Sequence, residues 1–182
     1  MCNAILGRDI YQKEFALPRL ALVRDVFIFA AFTGLAFIDV QQLAAEHIVQ
    51  DNNGHYWIRK TRQKTNNMFD IPLLDIPLAI LKKYENNPTC IKRGVLLPVP
   101  CNQNMNSYLK EIADVYGIQK HLSTHTSRYT FATTITLANN VKLENVSKML
   151  DHTNTRMTLH YAHIMNESLA EEMNKVAAIM GE

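Results

Sequence analysis

The longest apolar run of the chain, in PRLALVRDVFIFAAFTG at residues 18–34, predicts a helix. Pro18 suits a first helical turn, and Gly34 suits the position just past a helix end. Apolar residues occur almost all round this helix, which is typical of a helix buried at the centre of a domain. A second, short helix is expected next, with Asp39 as the N-cap of VQQLAAEH at residues 40–47.

The pattern then changes to that of short strands. Aromatic and β-branched residues flank the sequence NNG, a strong hairpin signal, and a second polar reversal follows. Pro72 ends the pattern. The predicted strands are residues 48–50, 55–61 and 68–71, joined by turns at residues 52–54 and 63–67. They form a small three-stranded antiparallel sheet.

Helical patterns account for the rest of the chain. Thr124 is the expected N-cap of a long helix that Asn139-Asn140 closes. The predicted helices span residues 73–86, 102–117, 124–138, 143–150, 154–162 and 166–180. The fold class is therefore mainly α with a small three-stranded antiparallel β-sheet (α+β), and residues 1–182 form one domain.

Composition narrows the class of protein. Of the 182 residues, 47% are hydrophobic and 20% are charged, which suits one packed core rather than disorder. Cys2, Cys90 and Cys101 form no CxxC pair, so we expect reduced thiols. No apolar segment is long enough to span a membrane, and no secretory signal stands at the start. We expect a soluble cytoplasmic protein without a membrane partner.

The charge is unevenly distributed. The formal net charge is only +2, but residues 59–64 carry four basic side chains and no acid. The segment 165–182 carries four glutamates against one lysine. The remainder of the chain is therefore distinctly positive, as expected of a protein that binds nucleic acid.

Four side chains suited to phosphate chemistry stand near the C-terminal end. His125 and Arg128 lie in THTSRYTFATT, and their i, i+3 spacing puts them on one helix face. His152 and Tyr161 lie nine residues apart in HTNTRMTLHYA, enough for a turn that returns the phenol to the same pocket. A tyrosine that attacks a phosphodiester needs such neighbours, because negative charge builds up on the phosphate oxygens.

This pattern resembles the catalytic domain of tyrosine recombinases, the phage integrase family, over most of the chain. The resemblance implies that Tyr161 forms a 3′-phosphotyrosyl bond with DNA and that Arg128 holds a non-bridging oxygen of the phosphate. It implies that His125 and His152 donate hydrogen bonds to the phosphate or accept the proton of Tyr161. Neither a metal nor a cofactor is implied.

The basic run belongs to the same resemblance. A lysine on this hairpin protonates the leaving 5′-oxygen in the family, and Lys64 in RQKTNNM is the candidate. Lys60 and Arg62 are rivals for that role. Arg59, Lys60 and Arg62 are also expected to contact the DNA backbone.

The sequence departs from the family pattern in FTGLAFIDV. Ala36 stands where the family normally has its first arginine, and the loss of a phosphate-binding arginine commonly costs about 10³-fold in rate. The run resembles integrases of mobile elements, such as conjugative transposons, of anaerobic bacteria, a branch with a small residue here. Arg24 is a candidate to substitute for the arginine, and a pairing with Asp25 or Asp39 is an equally natural role for it.

Another departure is Asp151, where the family usually has glycine before the histidine. A carboxylate there could orient His152 or raise its pKa, and it places negative charge near the phosphate pocket. It could also reshape the turn. Tyr129 replaces a histidine that frequently follows the motif arginine, which we regard as a milder change.

The resemblance also implies partners. Recombination needs double-stranded DNA and four active sites, so a homotetramer on DNA is expected of the full-length protein, at the nucleoid when bound. The N-terminal core-binding and arm-binding domains of the family are absent from these 182 residues. The predicted helix in residues 165–182 either docks on a neighbouring subunit or packs on its own core.

Other functions remain open. Ala36 and Asp151 favour a DNA-binding module that has the recombinase fold without catalysis. A histidine metalloenzyme is disfavoured, because the histidines show no HxxxH or Cys/His ligand spacing. A type IB topoisomerase has related chemistry, but the resemblance of FTGLAFIDV to mobile-element integrases argues against it.

Overall fold

A central helix organises the fold. The structure, a computed structural model, describes residues 17–61, 67–152, 154–162 and 177. Helix α1 (Pro18–Thr33) has proline in its first turn and ends at Gly34, which has a left-handed φ of 68° and donates its N–H to the Ala30 carbonyl. α1 packs against helices before and after the sheet in the chain, and its apolar side chains are buried on most sides. The predicted buried helix is confirmed.

The other elements surround α1 and a small sheet. In chain order they are α2 (Phe37–Gln41), a 3₁₀ turn (Ala45–His47), β1 (Ile48–Gln50), β2 (Tyr56–Thr61), β3 (Met68–Pro72), α3 (Asp75–Tyr84), α4 (Pro88–Arg93), α5 (Asn102–Val115), α6 (Thr124–Thr130), α7 (Leu143–Met149) and α8 (Thr155–Ala162). The mainly helical fold with a three-stranded antiparallel sheet is as predicted. The predicted helix at 166–180, apart from residue 177, and the turn at 63–66 lie outside the described residues.

The sheet has the order β1-β2-β3, and both pairings are antiparallel. Ile58 and Ile71 face each other across β2 and β3, and both are fully buried. Alternation places Lys60 on the same buried face as Ile58, whereas Arg59 points to the opposite face. The two neighbouring basic residues therefore have different surroundings.

The region after α1 differs from the prediction. α2 begins at Phe37 with Ala36 as its N-cap residue, so Asp39 is a buried residue inside the helix and not its cap. The helix ends after Gln41 because the chain turns to bury Leu43, whose carbonyl accepts a hydrogen bond from the Leu96 N–H at 2.7 Å. Packing between distant segments overrides the helical pattern here.

The predicted helix 124–138 is also modified. Ser123, not Thr124, caps α6, and its side chain accepts a hydrogen bond from the Thr126 N–H. Beyond α6 the helix continues as a π-helical segment (Phe131–Thr136) and a 3₁₀ turn (Leu137–Asn139). Thr136 Oγ1 donates to the carbonyls of Phe131 and Ala132 at 3.0 and 2.8 Å, which supplies a partner to backbone oxygens of the widened turn.

Helix α4 has no counterpart in the sequence prediction. Asn87 caps it, accepting from the N–H groups of Thr89 and Cys90, and Pro88 is its first residue. The signal is therefore a local one of Asn-Pro followed later by Gly94, which ends the helix in a left-handed conformation. Six residues are too few to show helical periodicity.

Two apolar clusters form the core. The larger one surrounds α1 and includes the buried face of the sheet. The smaller one consists of Phe131, Ala132, Val146 and Leu150, with Tyr161 packed against it. None of the described helices has the length and apolar character needed to cross a membrane.

Candidate active site

Arg128 connects three parts of the fold. Its guanidinium extends from α6 and donates hydrogen bonds to two backbone carbonyls, those of Gly34 and Leu150. Gly34 follows α1, and Leu150 follows α7. Two fixed acceptors orient the planar guanidinium and so restrain the directions in which its N–H groups point.

The Gly34 backbone packs closely against the side chain of Phe131, next to the Arg128 contact. Gly34 faces the ring of Phe131, one helical turn after Arg128, and a Cβ atom built on Gly34 would lie 2.4 Å from Phe131 Cδ1. Only a glycine fits here, both for this reason and because φ is positive. The packing brings the Gly34 carbonyl within reach of Arg128.

His152 lies on a sharp turn after α7. Its N–H donates to the Ser147 carbonyl at 3.0 Å, and its Nδ1 is 2.8 Å from Oγ1 of the buried Thr158. Either atom of the latter pair can be the donor, depending on the tautomer. In both cases the contact with Thr158 fixes the orientation of the imidazole ring through Nδ1.

Tyr161 is half-buried on α8 beside His152. The two rings are nearly parallel, with centroids 6.2 Å apart and planes at 11°. The rings of Tyr129 and His160 lie 5.5 and 6.1 Å from that of Tyr161, both edge-on. Because Tyr129 follows Arg128 directly, the phenol, the imidazole and the guanidinium belong to one region of the molecule.

Two further predicted catalytic residues, His125 and Arg24, lie on helices α6 and α1. His125 is exposed on α6, one turn before Arg128. Arg24 is buried and pairs with the adjacent carboxylate, with its Nη2 2.8 Å from Asp25 Oδ1. This is one of the pairings that the sequence left open. Asp25 also accepts from Lys83 Nζ at 2.7 Å and from Tyr84 Oη at 2.9 Å.

The residues predicted to bind the DNA backbone are separated by the strand alternation. Arg59 has an exposed side chain that pairs with Asp70 at 2.9 Å across the sheet. Lys60 is only 7% exposed, and its Nζ donates to the Asp39 carbonyl at 3.2 Å. Burial lowers the pKa of Lys60, and the charge of Asp39 opposes this shift. The geometry of Lys60 thus favours a structural role. Arg62 and Lys64 lie outside the described residues.

Ala36 stands two residues after the carbonyl that Arg128 contacts. It is the N-cap residue of α2, in an extended conformation with φ −69° and ψ 154°. The position where the family normally has its first arginine therefore follows closely on the backbone carbonyl that Arg128 contacts.

Sequence reasoning missed several groups that build this site. They are the carbonyls of Gly34 and Leu150 under Arg128, Thr158 beside His152, and Asn67, which contacts Asp151. Only Gly34 had a sequence signal, since it ends α1 within the motif FTGLA. The other partners are joined by tertiary contacts that spacing cannot reveal.

The arrangement can bind and attack a phosphodiester. It combines an always-charged guanidinium, an imidazole that donates or accepts a proton, and a phenol oxygen as nucleophile. Among the described residues no group of three or more His, Cys, Asp or Glu could hold a metal ion.

Comparison with known proteins identifies similar sequences. Residues 15–168 match the model of the phage integrase family. The integrase of Escherichia phage P2 is 27% identical over 166 residues, which are 90% of this chain and 45% of that protein. The chain therefore spans about half the length of this relative.

Solved structures share the fold. The XerH site-specific recombinase bound to its palindromic difH substrate, in a post-cleavage complex, has a TM-score of 0.72 at 20% identity, over 99% of this chain and 51% of that one. The XerA recombinase has a TM-score of 0.66 at 16% identity, over 96% of this chain and 62% of that one. The Tn1549 transposon integrase, in complex with a circular intermediate DNA, has a TM-score of 0.61 at 16% identity, over 96% and 63%.

Proposed function

Since this chain belongs to the phage integrase family, we propose that it cleaves and rejoins DNA through a covalent 3′-phosphotyrosyl intermediate. Its fold is that of tyrosine recombinase catalytic domains, including that of a transposon integrase. Integration or transposition of a mobile element is therefore the proposed biological context.

One observation carries the proposal. The ring of Tyr161 lies against that of His152, on a turn whose Leu150 carbonyl accepts a hydrogen bond from Arg128. The groups proposed as nucleophile, proton-transfer group and phosphate-binding cation thus belong to one region of the molecule. This is the minimum set for attack by a phenol on a phosphodiester.

In the proposed reaction the Tyr161 oxygen attacks phosphorus and the bond from phosphorus to the 5′-oxygen breaks. His152 or His125 accepts the phenol proton, and Lys64 gives a proton to the leaving 5′-oxygen. Arg128 binds the non-bridging oxygens as their charge increases. A 5′-hydroxyl then attacks the phosphotyrosine and restores the phenol, so no external energy source is needed.

The missing arginine at Ala36 requires a second cation near the phosphate. Arg24 is the proposed substitute, but its buried pairing with Asp25 supports a structural role instead. An Arg24→Ala variant decides between them. The variant loses the buried ion pair and should be less stable in either case. If Arg24 also binds phosphate, the saturated cleavage rate of the folded protein falls as well, whereas a purely structural Arg24 leaves that rate unchanged.

The proposed partner is double-stranded DNA, with Arg59 and Arg62 contacting phosphates. A homotetramer of the full-length protein, with residues 165–182 docked on a neighbour, is also proposed. The three solved structures named above are recombinases or integrases, and those of XerH and the Tn1549 integrase are complexes with their substrate or with DNA. That supports DNA as the partner of this chain.

Covalent trapping tests the proposed function. In a duplex with a nick a few nucleotides to the 3′ side of the cleaved phosphate, cleavage releases the short fragment that carries the new 5′-hydroxyl. This fragment diffuses away and cannot attack the phosphotyrosine, so an active protein accumulates a covalent adduct. We expect an adduct with the parent protein and none with Tyr161→Phe, while Tyr129→Phe, a neighbouring tyrosine, still forms it. An adduct that persists in Tyr161→Phe overturns the assignment.

A substrate with sulfur at the 5′-bridging position tests Lys64. A thiolate leaves without protonation, so it makes a general acid unnecessary. We expect Lys64→Ala to slow cleavage of the normal substrate by about 10²–10⁴-fold and to cleave the sulfur substrate at the parent rate. Lys60→Ala is the matched control, and rescue of that variant instead would move the role to Lys60.

A DNA-binding module without catalysis is the second candidate, because Ala36 removes a phosphate ligand. It predicts binding of the same duplex without any adduct. The nicked substrate therefore distinguishes the two functions.

A further inference from the structure

Asp151 adopts a conformation that few side chains accept. Its φ is 50°, and among the described residues only Asn140 shares a positive φ without being glycine. The left-handed region is disfavoured by the Cβ atom, though aspartate and asparagine enter it more readily than most residues. Such a conformation persists only where surrounding contacts hold it.

One contact that holds it comes from the sheet. Asn67 Nδ2 donates to Asp151 Oδ1 at 3.1 Å, joining residues 84 positions apart. Asn67 immediately precedes β3, and Asp151 lies just after α7, which packs against β3. The hydrogen bond therefore connects the sheet to the turn after α7.

That turn carries two groups of the proposed site. On one side of Asp151, the Leu150 carbonyl accepts from the Arg128 guanidinium. On the other side, the His152 N–H is fixed to the Ser147 carbonyl and its ring lies against Tyr161. A rotation of the backbone at Asp151 would displace both groups together.

We propose that Asn67 and Asp151 are positioning residues: their hydrogen bond sets the turn 150–152 so that the Leu150 carbonyl and the His152 ring are held for cleavage. The inference rests on the proposed phosphotyrosyl reaction. It assigns the carboxylate at 151 a purpose that a glycine could not serve, because glycine adopts the same φ but offers no side-chain acceptor.

Two substitutions of Asp151 isolate the hydrogen bond. Asp151→Asn and Asp151→Gly both remove the negative charge, and both residues tolerate a positive φ. They differ in the side-chain oxygen that can accept from Asn67. Asn67→Ala removes the donor, and the double variant Asn67→Ala/Asp151→Gly completes a cycle.

The rate of adduct formation on the nicked duplex is measured at saturating and at limiting protein. Asp151→Gly and Asn67→Ala should each slow the saturated rate by about three- to tenfold with unchanged DNA affinity. The double variant should be no slower than the slower single variant, and Asp151→Asn should be faster than Asp151→Gly. Urea unfolding should give similar midpoints for the two Asp151 variants, so a rate difference between them is not a loss of folded protein.

Amide hydrogen exchange supplies a readout that needs no catalysis. The His152 N–H should exchange about three- to tenfold faster in Asp151→Gly and Asn67→Ala than in Asp151→Asn. Equal exchange in all variants overturns the inference. The inference also fails if the double variant slows adduct formation by the product of the two single-variant effects, because the two residues then act independently. If the parent forms no adduct, the proposed reaction fails, and exchange alone still decides whether the contact holds the turn.

Discussion

At the scale of single residues, the site depends on backbone groups as much as on side chains. Arg128 is oriented by the carbonyls of Gly34 and Leu150, and His152 is held through its own N–H. Backbone acceptors cannot be removed by substitution, so their position is controlled by the residues that shape the chain around them. Gly34 and Asp151, both with positive φ, are those residues.

The Gly34 contact gives a first prediction. Gly34→Ala should lower the free energy of unfolding by about 2–4 kcal/mol, because a left-handed alanine is strained and its Cβ overlaps Phe131. Gly94→Ala is the matched control, since Gly94 has φ 66° but no atom within 4 Å of the added Cβ. It should cost about 1–2 kcal/mol. Urea unfolding followed by the fluorescence of Trp57, the single tryptophan, measures both. Equal losses would mean that Phe131 moves aside.

Arg128 gives a second prediction at this scale. Arg128→Lys keeps the charge but cannot reach two carbonyls and a phosphate with one planar group, so adduct formation should fall by about a hundredfold or more. Arg19→Lys, at an exposed ion pair with Glu111, is the control and should leave the rate unchanged. A lysine variant as fast as the parent would show that Arg128 contributes charge alone.

At the scale of elements, α1 and α3 are joined by a buried ionic cluster. Asp25 on α1 is 1% exposed and meets Arg24 on the same helix and Lys83 and Tyr84 on α3. The partners at the buried carboxylate compensate the loss of its hydration. The cluster joins α3 to the helix that leads into Gly34.

Removing one hydroxyl tests this cluster. Tyr84→Phe should lower the free energy of unfolding by about 1–3 kcal/mol at pH 7, because Asp25 loses a donor. Burial, with the nearby Asp25 carboxylate, raises the pKa of Tyr84 above its ordinary value of 10.0. The stability from Tyr84 is then full below about pH 10 and is lost as the pH rises further, since the unfolded phenol ionises first.

The comparison is made by urea unfolding of both proteins at pH 7 to 11. The difference in the free energy of unfolding between parent and Tyr84→Phe should shrink above about pH 10. The other titrating groups are the same in both proteins, so their contributions cancel in this difference. Tyr56→Phe, at an exposed tyrosine, is the control and should show no comparable difference. A difference between parent and Tyr84→Phe that stays constant to pH 11 would contradict the raised pKa.

At the scale of the whole molecule, the small net charge conceals an uneven distribution of charge along the chain. The formal net charge is +2, and residues 165–182 contribute four glutamates and one lysine, or −3, which leaves +5 on residues 1–164. Binding to a phosphate backbone depends on the local positive surface and on salt. The acidic segment should therefore weaken non-specific binding to DNA.

Charge neutralisation tests this expectation. Replacing the four glutamates of residues 165–182 by glutamine should tighten binding to a non-specific duplex at low salt, and the gain should fade as salt is raised. Fluorescence anisotropy over a salt series measures it. A variant with Asn166→Ala and Ser168→Ala changes the same segment without changing its charge and should bind like the parent. Unchanged affinity in the glutamine variant would show that the segment lies away from DNA.

Periodicity predicted the fold class because it follows directly from burial. The segment 18–34 could only be a buried helix, and the alternation around the hairpin could only give a half-buried sheet. The motif residues around Arg128 and Tyr161 predicted the family, which the match over residues 15–168 confirms. The roles of those residues, including Lys64, stay predictions.

The local sequence pattern was insufficient to predict the structure wherever packing against a distant segment decides the local conformation. The helix that begins at Phe37 ends after Gln41 because Leu43 is buried against another segment, and Lys60 points inward because of the strand register. Similarly, the structure alone pairs Arg24 with Asp25 and joins Asn67 to Asp151. Sequence determines which elements form, since each buries its own apolar face. Tertiary structure decides which polar groups meet, because their partners lie far apart along the chain and are chosen by packing.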